Sequence, residues 1–147
     1  MPKTWLSLQK ITNMAENIIN EIPGYENDSV NYVSATDSEG AVFLAAQMVS
    51  DLLNKWNTNV GFFSYSGRCQ TLVNLIENKS KVARLYTVNQ KTQQLQVLIG
   101  KVQGMNNRKS VRKFVIEGIP ALDAINRHCL EQFARTKHIS ITVIEMC

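Results

Sequence analysis

The chain has 147 residues, 44% of them hydrophobic and 19% charged, and its 16 Lys and Arg against 12 Asp and Glu give a net charge of +4. That length suits a single globular domain over 1–147 with a core of its own. No run of 18 apolar residues occurs, and Met1-Pro2-Lys3-Thr4-Trp5 leads into an amphipathic pattern without the apolar stretch of a signal peptide, so a cytoplasmic protein of a cell, virus or mobile element is expected, with no membrane span.

Trp5, Leu8, Ile11, Ala15, Ile18 and Ile22 recur at helical steps, which predicts an amphipathic first helix capped by Thr4 and stopped at Pro23-Gly24. A short strand is expected over 30–35. Thr36 to Gly40 then offer capping oxygens ahead of a helix over 41–56, whose apolar face is carried by Val42, Ala45, Val49, Leu52, Leu53 and Trp56. Residues 60–65 read as a buried strand, and Ser66-Gly67-Arg68 separates it from a short helix through Leu72, Leu75 and Ile76.

The segments 81–89 and 94–102 are rich in β-branched and apolar residues, with a polar turn between them, and Gly104-Met105-Asn106-Asn107 reads as another turn before a strand over 111–117. These three strands are expected to form a meander. Gly118 and Pro120 restart a helix through Leu122, Ile125, Cys129 and Phe133, and 139–146 alternates as a last strand, able to lie beside 111–117 by a right-handed crossover. The fold class is α/β (or α+β), with one mixed sheet of about six strands and about four helices.

Charge is unevenly spread. Between Glu77 and Glu117 lie nine cations, Lys79, Lys81, Arg84, Lys91, Lys101, Arg108, Lys109, Arg112 and Lys113, and no acid. About four would fall in such a window by chance, so the enrichment is roughly twofold. The tightest group, Arg108, Lys109, Arg112 and Lys113, falls at the predicted turn. With Arg84 and Lys101 it makes a candidate surface for nucleic acid backbone, and Tyr86 could serve as a stacking platform. The competing reading is a solvated edge hairpin kept soluble by its lysines.

Three segments share the order strand, polar loop, helix: 34–40, 64–69 and 117–120. In open α/β sheets ligands bind beyond the carboxyl ends of parallel strands, so these loops would converge if their strands are parallel. Ser64, Ser66 and Arg68 could cradle a phosphate, and Asp37 or Glu39 could contact a ribose hydroxyl. No GxGxxG or Walker pattern supports this, and the plainer reading is that Ser66 caps a helix and Gly67 permits a turn.

Cys69 is read as a small core residue, with a reactive thiol paired to His128 or His138 as the alternative. The odd count of three cysteines argues against a disulfide framework. No CxxC, HxxxH or HExxH occurs, so neither a catalytic set, a metal nor a cofactor is expected. Asp123 with Arg127 and Glu131 with Arg135 have the spacing of helix surface pairs. The short run Phe62-Phe63-Ser64-Tyr65-Ser66 has a superficial likeness to the first strand of TIR domains that nothing downstream extends, and no family is assigned. The function read from the sequence is nucleic-acid backbone binding through a basic β-turn. The alternatives are binding or hydrolysis of a small phosphorylated ligand such as a nucleotide, or a protein-interaction or assembly role with a possible homo-oligomer.

Overall fold

The computed structural model describes residues 25–91 and 94–146. The first amphipathic helix expected from the sequence lies outside the described residues. Among those described, the order is β1 (Ser29–Ala35), α1 (Ser38–Asn54), β2 (Val60–Ser64), α2 (Cys69–Leu75), a 3-10 turn (Lys79–Arg84), β3 (Leu85–Asn89), α3 (Leu95–Lys109), β4 (Lys113–Pro120), α4 (Ala124–Lys137) and β5 (Ser140–Met146). No described helix is long and apolar enough to cross a membrane.

The strands form one 5-stranded sheet in the order β1-β5-β4-β2-β3, and every pairing is parallel. Parallel strands buried on both faces read as continuous apolar runs, which is how β2 and the Phe114-Val115-Ile116 stretch of β4 look in the sequence, whereas β5 is buried on both faces despite its alternation. Side chains alternate between two cores. Phe62, Val115 and Ile144 pack with α1 and α2, whereas Phe63, Phe114, Ile116, Ile141 and Val143 pack with α3 and α4.

The α/β class and the parallel pairing of β4 with β5 agree with the sequence reading, while the mixed sheet, the sixth strand and the meander do not. The segment expected to hold a second hairpin strand and a turn is the single helix α3. Its buried residues Leu95, Leu98 and Val102 stand at helical, not alternating, spacing. Arg108 and Lys109 therefore occupy the last helical turn, where cations complement the carbonyl end, and Ser110 ends the helix in the left-handed conformation. The predicted basic β-turn is absent. The 81–84 part of the first expected hairpin strand falls in the 3-10 turn, and only 85–89 extends.

Helix α1 begins where Asp37 accepts a hydrogen bond from Gly40 N at 2.6 Å, with Glu39 in the first turn. Helix α4 begins at Ala124, not at Gly118, because Asp123 takes the capping role by accepting from Asn126 N at 2.8 Å. Arg127 consequently turns away from Asp123 and pairs with Glu145 of β5 at 2.6 Å, its guanidinium lying 4.1 Å from the centre of the Tyr32 ring.

Helix α3 rests tightly on β2 at one place. A Cβ on Gly61 would lie 2.6 Å from Met105 Sδ and 2.7 Å from Phe114 Cδ1, contacts that force a shift. Gly61→Ala is expected to destabilise the fold by about 1–3 kcal/mol, read as a lower denaturant midpoint at unchanged slope.

Candidate functional site

In the order β1-β5-β4-β2-β3 the chain leaves β2 toward β3 and later leaves β4 in the opposite direction toward β5. The carboxyl ends of β2 and β4 thus flank the topological switch point, where open parallel sheets form a ligand crevice. Parallel register sets Ser64 opposite Glu117 on one side and opposite Asn89 on the other. All three fall on the face covered by α1 and α2, in step with Phe62, Val115 and Leu85.

Glu117 is fully buried and accepts from Ser64 Oγ at 2.7 Å and from Ser66 Oγ at 2.8 Å through Oε1 and 2.9 Å through Oε2. Ser64 Oγ in turn accepts from Arg68 N at 2.8 Å, so one hydroxyl ties the carboxylate to the following loop. Among the described residues no cation forms an ion pair with Glu117. Burying a carboxylate without a countercharge costs several kcal/mol, and two hydroxyl donors offset only part of that. A buried carboxylate of this kind at the switch point makes the cluster a candidate site.

Two glycines shape the loops around it. Gly67 has φ +71° and Gly118 has φ +86°, values that side chains rarely adopt. A Cβ on Gly118 would stand 3.2 Å from Ser66 N, so the bulge between Glu117 and Ile119 lets the β2 loop sit directly on β4.

Arg68, half-buried, reaches from the β2 loop to α1, its Nη2 donating to Ser38 Oγ at 3.4 Å. Of the residues expected at a phosphorylated-ligand site, the structure thus brings Ser64, Ser66 and Arg68 together. Asp37 is engaged as the α1 cap and Glu39 is exposed one residue beyond Ser38. Glu117 and Asn89 belong to the same cluster and were missed by sequence reasoning. A lone carboxylate in the apolar run Phe114-Val115-Ile116-Glu117 was the available signal. Asn89 Oδ1 accepts from Cys69 N at 3.2 Å, fixing the start of α2.

Cys69 is buried in that first turn, and burial pushes its thiol above the usual range. That environment makes a poor nucleophile. His138 sits at the opposite, amino end of the sheet beside β5, where it meets Asp28 at 2.8 Å. Among the described residues no three or more His, Cys, Asp or Glu side chains converge as a metal site would need.

The cations expected to bind nucleic acid do not share one face. Lys113 is buried in β4, where its Nζ donates to Tyr25 O and, at 3.0 Å, to Asn27 Oδ1, 4.7 Å from the centre of the Trp56 ring. Arg84 holds the loop after α1, donating to Asn59 Oδ1 at 3.1 Å and to Asn57 O at 2.7 Å. Arg112 is exposed ahead of β4. Lys101, Arg108 and Lys109 do come together, along α3 on the far face of the sheet.

The chain matches no protein-family model, and no curated protein sequence matches it.

Proposed function

We propose that this protein binds a small phosphorylated ligand of the nucleotide class at the carboxyl ends of β2 and β4. The observation that carries this reading is the buried Glu117, held by Ser64 and Ser66 at the switch point of a parallel sheet with no ion-pair partner among the described residues. A carboxylate so placed accepts hydrogen bonds from ligand hydroxyls, as acidic side chains do for ribose in doubly wound sheets. Arg68 supplies the complementary end, a guanidinium that suits phosphate, and the neighbouring Ser38 and Ser66 add neutral donors.

The division of charge sets the pose. Phosphate lies toward Arg68 and away from Glu117, since like charges brought together in a crevice repel strongly. Ligand hydroxyls replace Ser66 at Glu117, and the Ser66-Gly67 turn is the piece of backbone that yields.

A panel of nucleoside mono-, di- and triphosphates tests this by thermal shift. At ligand concentrations near 100 times Kd a binder raises the melting temperature by about 5–10 °C for a domain of this size. Arg68→Ala is expected to abolish the shift while leaving the unliganded melting temperature within about 2 °C, because among the described residues its guanidinium makes one long hydrogen bond, to Ser38. Unchanged melting with every nucleotide at millimolar concentration would end the proposal.

A further inference from the structure

The other face of the sheet carries a second, separate feature. An open groove of about 740 Å³ runs between the edge strand β3 and helix α3, lined by Tyr86, Gly100, Lys101, Gly104, Arg108 and Lys109 among others. Tyr86 packs with the core under α3 and α4, whereas Glu117 is in step with Val115 on the α1 and α2 face, so the sheet lies between this groove and the Glu117 crevice.

Gly100 and Gly104 are the unusual part. Both lie inside α3, where glycine is the poorest ordinary helix former, and a Cβ at either would meet nothing within 4 Å. Among the described residues no packing requires their bareness, in contrast to Gly61. One turn apart on the groove side, they leave the helix backbone open to whatever lies beside it.

The charges of the groove say what that is. Among the described residues its lining includes three cations and no carboxylate. Lys109 Nζ stands 5.7 Å from the centre of the Tyr86 ring, and Lys101 Nζ, held by Gln90 Oε1 at 2.8 Å, lies one residue past Gly100. Cations at the end of α3 also complement its dipole, which accounts for Arg108 and Lys109 without any ligand. It accounts neither for the two glycines nor for the aromatic ring beside Lys109.

We infer that the β3–α3 groove binds single-stranded nucleic acid, with phosphates along Lys101, Arg108 and Lys109, a base against Tyr86, and the strand lying over Gly100 and Gly104. An aromatic platform within a basic channel is the common means of holding unpaired bases without sequence preference. Duplex is too wide to bring its bases onto a ring at the floor of a groove, which favours the single strand.

The two glycines make the test discriminating. Gly100→Ala with Gly104→Ala is expected to raise the melting temperature by about 4–8 °C, since alanine favours the helix, and to weaken binding of a fluorescent 15-nucleotide oligothymidylate at least tenfold in 50 mM salt. Tyr86→Leu is expected to weaken binding by about five- to a hundred-fold. Arg108→Ala with Lys109→Ala is expected to flatten the plot of log affinity against log salt by roughly 1.4.

Arg68→Ala is expected to leave oligonucleotide affinity unchanged, so failure here and failure at the Glu117 crevice remain distinguishable. Absence of oligothymidylate binding at 50 mM salt overturns the inference. So does full binding by the double alanine variant, or tighter binding of an acidic peptide than of the oligonucleotide.

Discussion

Glu117→Gln is expected to leave the protein at least as stable as the wild type, melting up to a few degrees higher, while removing most nucleotide-induced stabilisation. Glutamine keeps the length of the side chain and an acceptor oxygen for Ser64 and Ser66, which donate at 2.7 and 2.8 Å, but carries no charge. The desolvation cost of a carboxylate with no ion partner among the described residues disappears, and each kcal/mol recovered is worth about 2–4 °C. Binding moves the other way. A hydrogen bond from a ligand hydroxyl to a charged acceptor contributes about 1.5–3 kcal/mol, so its loss lowers affinity by roughly 10- to 150-fold. Stability and binding changing in opposite directions is the signature of a site that costs the fold something. A fall in melting temperature of more than about 5 °C would instead make Glu117 a structural strut.

The second large effect lies at the opposite end of the sheet. Lys113→Ala is expected to cost about 2–4 kcal/mol, because it leaves the carbonyl of buried Tyr25 without its ammonium donor, breaks the bond to Asn27 and removes the cation from the face of Trp56. It also empties space in a strand flanked by β5 and β2. Thermal unfolding of the variant beside the wild type measures this.

Lys113 also carries a pH signature. Burial lowers its affinity for a proton below the ordinary lysine range. In the interval between its folded value and the ordinary 10.5, the unfolded chain holds a proton that the folded chain does not. Linkage then requires stability to rise with pH through that window, with the burial penalty present in full below it. Buried Tyr25 and partly buried Tyr32 are shifted upward, chiefly by desolvation, and act in the opposite sense as alkalinity increases. The difference between wild type and Lys113→Met isolates the lysine. Wild type is expected to gain on the variant as pH climbs toward 10.5, and a constant gap would show that the ammonium is not penalised.

Local patterns located much of the framework. The run Val30 to Ala35, the amphipathic segment behind Asp37, the apolar strand ending at Ser64, and the alternating final strand all fold as their residues imply. What misled the reading was 94–109. Val97 and Ile99 favour strands, and Gly104 with Asn106-Asn107 favours a turn, yet Leu95, Leu98 and Val102 keep helical spacing and tertiary burial decides.

Strand order was not legible, because nothing local encodes which strands pair across the switch point. For the same reason Glu117 went unnoticed as a partner of Ser64. Their neighbourhood exists only through the register of β2 with β4. Ser64, Ser66 and Arg68 were legible as a loop, and Lys113 was misjudged because its charge suggested surface while a central strand buries it.

The central claim is most directly tested by following backbone amide resonances of the full chain during titration with the nucleotide that gives the largest thermal shift. The crevice predicts that shifts concentrate at Ser64 to Arg68, at Glu117 and Gly118, and at Ser38, with β3 and α3 little affected. Shifts confined to residues of the β3–α3 groove, or none at millimolar nucleotide, would contradict it.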